Sequence, residues 1–391
     1  MTGMIGMLPM FLIPLVILGA WMLINKSKFT VKEFLLSELV ITGLLVATFF
    51  IARYGAIVDT ETWNGEVSAK IHEKHSCCHC RTVCDSRDDD GNCTSSHEEC
   101  DHSRDYRWAL EYSTGDRDTI KKCAPPRNKD DHPQVWVDAY VGEPAAKEHS
   151  YPNYLLADPE SLHYTRGAAE QFTDVGFPSY PKHFGYYRQN RALNHGGTQM
   201  PMTKMNDGLA EINKELGHGK QVNIIVVATP NADPAYADGL EETWLYGKKN
   251  DCIFVLGAPD GDKIAWARIV TISNVAELRT NVMHYMPGMK LSDHETILDF
   301  IHERVLRDFE RDSLGENFGF LMANATPSTT AKIVMYIVAL ILTIILGFVC
   351  QAYDIFGDEG SGARRLFGGR GHGGFRGFRV PSFRSRRRGR Y

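Results

Sequence analysis

The densest chemistry in the 391-residue chain lies in one short segment, His75-Ser76-Cys77-Cys78-His79-Cys80 followed by Cys84, Cys93, His97, Cys100 and His102. Cys123 completes a set of seven cysteines, out of nine in the chain. Thiolates and imidazoles at such spacings bind zinc tetrahedrally. The same cysteines form disulfides in an oxidising space, where six of Cys77, Cys78, Cys80, Cys84, Cys93, Cys100 and Cys123 give three bridges and leave one thiol over. Pairing cannot be read from spacing. Cys252 and Cys350 read as ordinary buried residues. Asp88-Asp89-Asp90-Gly91 has the composition of a calcium loop without its ligand spacing, so a solvated acidic turn is the better reading. Asp233, after an apolar strand, and Asp251, before the next, are the acids placed to bind a cation, although Asp233 before Pro234 also suits a helix N-cap.

No His-Glu-x-x-His helix, phosphate-binding glycine loop or Ser-His-Asp signature occurs in the sequence. The chain therefore does not declare itself an enzyme.

Compartment decides between zinc and disulfide, and the apolar segments decide compartment. Residues 4–24, 34–52 and 333–352 are apolar runs, with Glu38 their single charge. Each approaches the roughly 20 residues that cross a bilayer as a helix. The loop 25–33 carries Lys26, Lys28 and Lys32, and the end of the chain carries ten arginines, among them Arg364, Arg365, Arg386, Arg387 and Arg388. The positive-inside rule places both in the cytosol and residues 55–330 outside. The net charge is −5 and residues 361–391 contribute +10, so residues 1–360 carry about −15. On this topology disulfides are preferred to zinc. The Gly/Arg-rich tail, residues 357–391, reads as disordered, with anionic lipid as its first partner and nucleic acid as its second.

Between the membrane segments the sequence divides into a Cys/His-rich stalk (55–104), a β-rich and irregular region (105–197) and an α/β region (198–315). Tyr106–Tyr112 and Val135–Val141 alternate as half-buried strands do. Asp207–Leu216 is a helix stopped by Gly217 and Gly219. Val222–Thr229 and Cys252–Leu256 are doubly covered strands, Lys263–Thr271 a strand in hairpin with the second, and Pro234–Tyr246, Asn274–Met286 and Asp293–Leu314 are helices.

Residues 207–314 resemble the TPM-domain family. The matching residues are the strand Val222–Thr229, Tyr236-Ala237, Trp244 and Gly247, the polar loop Lys248–Asp251, and the strands Ile253–Leu256 and Lys263–Ile269. The resemblance implies an α/β sandwich held outside a membrane, and for some members phosphatase activity and calcium binding. The family's Gly-x-Gly turn and acid after the last strand are replaced here by Val270-Thr271-Ile272-Ser273-Asn274, which weakens both implied activities. The expected fold is a three-span membrane protein bearing a TPM-like α/β sandwich behind a Cys-rich and β-rich region. The expected function is an extracytoplasmic interaction or scaffold protein with a protein partner on that side; the alternative is a metal-dependent phosphatase-type hydrolase using zinc or calcium.

Overall fold

The computed structural model describes residues 8–24, 29–157, 167–245, 247–273 and 275–353. Lys26, Lys28 and the whole arginine tail, with Arg364, Arg365, Arg386, Arg387 and Arg388, lie outside the described residues. The chain divides into two compact units, one formed by both ends of the chain and the other by Ala56–Ala325.

The first unit contains helices α1 (Leu8–Ile24), α2 (Val31–Gly55) and α9 (Thr329–Tyr353). They share an interior of Met10, Leu18, Ile41, Leu45, Phe49, Met335, Ala339 and Cys350. Trp21 Nε1 donates to Gln351 Oε1 at 3.1 Å, tying α1 to α9. α2 opens on a capping box: the Thr30 N–H donates to Glu33 Oε2, and the Glu33 N–H donates back to Thr30 Oγ1. The outer faces carry exposed Leu12, Val16, Leu39, Ile344 and Phe348, residues that water does not favour. Two helices, α2 and α9, are long and apolar enough to span a membrane, rather than the three expected. α1 has 17 described residues, which at about 1.5 Å per residue falls short of the roughly 30 Å of a bilayer core.

The second unit is built on two four-stranded sheets. The first takes β1 (Val58–His75), β4 (Asp105–Tyr112), β5 (Arg117–Ala124) and β6 (Pro144–Pro152), in the order β5-β4-β1-β6, all antiparallel. β1 is the spine. Its first half pairs with β6, from Val58 opposite Pro152 to Glu66 opposite Pro144, and its second half pairs with β4, ending at His75 opposite Asp105. Between β1 and β4 a separate ribbon projects, formed by β2 (Cys80–Arg87) and β3 (Cys93–Cys100). Every residue of β3 is exposed, so the ribbon has no core.

A short antiparallel pair, β7 (His183–Phe184) and β8 (Arg188–Gln189), follows, and the second four-stranded sheet has the order β12-β11-β10-β9. β9 (Ala192–Asn194), β10 (Asn223–Thr229) and β11 (Asp251–Gly257) run parallel, and β12 (Trp266–Val270) is antiparallel. All of β10 and β11 is buried. Ile224, Val226, Cys252 and Phe254 face α4 (Met202–Lys220), α6 (Ala276–Tyr285) and α7 (His294–Asp308), while Ile225, Val227, Ile253 and Val255 face α5 (Tyr236–Thr243) and the aromatic residues Phe172, Phe177 and Tyr180. Two apolar layers explain why these strands read as continuous rather than alternating runs. The whole is a mixed α/β architecture with a disulfide-rich projection.

Several expected elements move. Val135–Val141 is not a strand: α3 (Gln134–Asp138) follows Pro133, and Gly142 turns the chain at φ +91°. Pro133 fixes a helical start and the positive φ demands glycine, and these outweigh the short alternation. α4 runs through Gly217 and Gly219 to Lys220, and Gln221 closes it in the left-handed region at φ +50°. Gly217 is there to let the helix approach β1, not to end it. The last sheet strand begins at Trp266, and Lys263 makes only an isolated bridge to Lys290. α7 ends at Asp308, before α8 (Leu314–Phe318), and its N-cap is Asp293, whose carboxylate accepts from the Thr296 N–H. The acidic turn at the ribbon tip needs no ion: Asp88 Oδ1 accepts from the Asp90 and Asn92 N–H groups at 3.1 and 2.7 Å.

Candidate functional site

Six of the seven clustered cysteines pair, as Cys78–Cys123, Cys80–Cys100 and Cys84–Cys93. The last two cross the ribbon, where no apolar contact could hold its strands, and the first fastens its base to β5. Cys77 is left as a free, half-buried thiol.

The ribbon returns the chain to the main sheet through His102 and Asp105, and Cys77 and His79 sit where it leaves. Asp105 is wholly buried, at the first position of β4. Its Oδ2 accepts the Cys78 N–H at 2.7 Å and lies 3.3 Å from His79 Nδ1, while its Oδ1 is 2.5 Å from His102 Nε2. Burial alone would raise this carboxyl; the Cys78 N–H and the two imidazoles hold it below the ordinary range. The His79 N–H donates to Cys77 Sγ at 3.3 Å. Ligating atoms of Cys77, His79, His102 and Asp105 all lie within 4.8 Å of one another. The other two such groups among the described residues draw on disulfide sulfurs, Cys80 with Cys100 and Cys78 with Cys123, which have no thiolate to offer. His75 bonds the Ser76 carbonyl and His97 pairs with Asp85, so neither joins the group. Sequence reading singled out the cysteines and histidines but missed Asp105; the only signal was an acid three residues after His102.

The two acids expected to bind a cation are not brought together. Asp251 opens β11 opposite Asn223, whereas Asp233 follows the far end of β10, about 20 Å away by strand rise. Asp233 is exposed and accepts the Ala235 N–H at 2.9 Å, the cap geometry of a helix start. Asp251 is fully buried, and burial pushes it up to about 6 against the pull of Asn223 Nδ2, the Lys248 N–H and the Tyr180 hydroxyl, all of which donate to it.

Asp251 belongs to a polar joint between the sheets that no sequence signal announced. Asn64, in mid-β1, donates to Val222 O and to the side chains of Asn213 and Asn223. Arg191 reaches Asn64 Oδ1 and Asn223 Oδ1. Arg311 bonds the buried Glu61, and Lys248 pairs with Asp59. Most of the joint's buried polar atoms are paired, Arg311 Nε excepted, and paired groups fix one register and do little chemistry. Asp260 and Asp262, near the carboxyl end of β11, each turn one oxygen, Oδ1, to a backbone N–H, that of Lys263 and that of Ser292.

A shallow groove between β6 and α4 is lined by Tyr140, Phe184, Tyr187, Arg188, Asp207 and Glu211. Tyr140 and Phe184 are about half exposed, and beside them so are Val141 and Tyr186. Aromatic side chains next to an arginine are the composition of protein-contact centres. Comparison with models of known families, with curated proteins and with solved structures found no match for this chain.

Proposed function

We propose that the chain is a multi-pass membrane protein whose central unit lies outside the cytosol and serves as an interaction or scaffold module. The carrying observation is the ribbon: a coreless pair of strands held by Cys80–Cys100 and Cys84–Cys93 and moored by Cys78–Cys123. Such a build persists only where thiols stay oxidised. It sits in sequence between α2 and α9, the two apolar helices of spanning length. The lysine loop and the arginine tail would remain in the cytosol by the positive-inside rule, the tail against anionic lipid. In this reading residues 207–314 are a TPM-like domain. The order α4-β10-α5-β11-β12-α6-α7 supports that resemblance, and the groove bearing Tyr140, Phe184 and Arg188 is where a protein partner would sit. The hydrolase reading has less support, because the acids near the strand ends already accept backbone N–H groups.

Sidedness is tested with a membrane-impermeant maleimide on intact cells expressing the full chain, in the presence of a chelator. Without reductant Cys77 alone is labelled; after mild reduction up to six further cysteines react. If labelling requires permeabilised membranes, the topology is inverted and the disulfide, compartment and partner arguments fail with it.

A further inference from the structure

We infer that Cys77, His79, His102 and Asp105 form a tetrahedral site for zinc, or a divalent ion of like character, which closes the base of the ribbon. The inference goes beyond the proposed function; it rests on the three disulfides, and so on the oxidising compartment of that reading, but on no partner. Once the three disulfides are formed, Cys77 is the one thiol left in the ribbon segment, and it stands beside two imidazoles and a wholly buried carboxylate. Zinc takes sulfur at about 2.3 Å and nitrogen or oxygen at about 2.0–2.2 Å, so its ligands lie roughly 3.3–3.8 Å apart. The group here already converges within 4.8 Å, with His102 Nε2 2.5 Å from Asp105 Oδ1 and His79 Nδ1 3.3 Å from Oδ2. To hold an ion, His102 draws back from Oδ1 by about 1 Å while Cys77 and His79 close on the same oxygen.

The surroundings fit a metal centre in three further ways. Asp105 Oδ2 accepts the Cys78 N–H, the outer hydrogen bond that orients a ligating carboxylate. Cys77 Sγ accepts the His79 N–H at 3.3 Å, an outer hydrogen bond that fixes where the sulfur stands. A thiolate, a carboxylate and a dication sum to zero, so binding leaves no net charge at a half-buried position. Binding releases the Cys77 thiol proton to solvent, and the hydrogen between His102 Nε2 and Asp105 Oδ1 passes to His102 Nδ1, so that a neutral imidazole offers its Nε2 lone pair to the ion. A groove lined by His79, Asp101, His102, Pro125, Pro126 and Arg127 gives solvent access. With four protein ligands the site is closed and structural rather than catalytic. It joins the outgoing strand, through Cys77 and His79, to the returning one, through His102 and Asp105.

The test uses the purified full chain in detergent, unreduced, stripped with chelator and titrated with Co(II). The expected result is one equivalent per chain, with the strong visible bands of tetrahedral cobalt and a sulfur-to-cobalt charge-transfer band. Cys77→Ser abolishes the charge-transfer band, and His102→Ala weakens binding by about tenfold or more, while His97→Ala changes neither. Zinc also slows alkylation of Cys77. Cys77→Ser is nearly isosteric, so it decides the matter if Asp105→Asn fails to fold. A weak octahedral spectrum, a charge-transfer band surviving in Cys77→Ser, or binding that appears only after reduction overturns the assignment; the last would mean that the paired cysteines, not this group, hold the ion.

Discussion

Two glycines in the last turn of α4 are expected to respond in opposite directions to the same substitution. A Cβ at Gly217 would stand 2.4 Å from the Asn64 carbonyl oxygen and 2.7 Å from Asn64 Cβ, whereas at Gly219 it meets nothing within 4 Å. The obstacle is β1 backbone, so no rotamer relieves it, and α4 or the strand must shift by nearly 1 Å. Overpacking of this kind costs about 1–3 kcal/mol. The shift also loosens the Asn64 hydrogen bonds to Val222, Asn213 and Asn223, each worth about 1 kcal/mol. Replacing a helical glycine by alanine returns at most about 1 kcal/mol. The net for Gly217→Ala is roughly 2–4 kcal/mol of destabilisation, and for Gly219→Ala about 0.5 kcal/mol of stabilisation. At about 2–4 °C per kcal/mol for a unit of this size, the first lowers Tm by roughly 4–16 °C and the second raises it by about 1–2 °C. Tryptophan fluorescence of the full chain in detergent is a suitable readout, since five of the six tryptophans belong to the central unit. Truncating the Asn64 side chain should not rescue Gly217→Ala, because the carbonyl remains. If Gly217→Ala melts at or above the parent, α4 does not press on β1 at this point and the joint between the sheets is wrongly described.

Burial raises Glu241 to about 7, so it binds its proton more tightly folded than unfolded, and stability should fall as pH rises from about 4.5 to 7. Glu241→Gln should therefore raise Tm at pH 8 and leave it unchanged at pH 4.5, by an amount on the order of 1–3 kcal/mol; an equal effect at both pH values refutes this. Arg311→Met leaves the buried Glu61 with only the Trp63 indole as a side-chain partner, and should cost about 2–4 kcal/mol in denaturant titration. Loop entropy makes the Cys78–Cys123 bridge, 45 residues apart, worth about 1 kcal/mol more than Cys84–Cys93, 9 residues apart; paired Cys→Ser variants compared by denaturant titration measure the difference.

How much of this was legible depended on where each residue finds its partner. β10 and β11 were readable because Ile224–Ala228 and Cys252–Leu256 are buried on both faces, a condition written in the local composition. β1 was only half readable, residues 56–74 reading as a stalk or a first strand, although it is the longest strand among the described residues. Its buried positions are Glu61, Thr62, Asn64, Gly65 and Val67, and a polar residue can be interior only when something distant satisfies it, here Arg311 for Glu61 and Asn213 and Asn223 for Asn64, while Asn250 bonds the Thr62 carbonyl. No apolar period marks such a strand. α3 misled for the opposite reason, since its alternation was real but short, and Pro133 and Gly142 governed the backbone. The disulfide and zinc readings competed in sequence because both need the same residue types. Only the pairing in space, which strands β2 and β3 set by lying antiparallel, removes six cysteines and leaves Cys77 beside His79, His102 and Asp105.

The central unit thus carries two kinds of stability that respond differently to its surroundings. The α4–β10–β11 core rests on apolar burial, and its one cysteine, Cys252, is fully buried with its thiol pushed well above the ordinary range, so oxidation state does not touch it. The ribbon rests on cross-links and exposed hydrogen bonds, with no apolar core. In a reducing compartment the core would persist while residues 77–104 lost their strongest restraints, since strands this exposed cannot offset the entropy of ordering themselves. Redox state therefore acts as a condition on one part of the fold and not on the rest. A ribbon built this way is useful only where it is kept oxidised, and that argues for placing its contacts, like its cysteines, outside the cytosol.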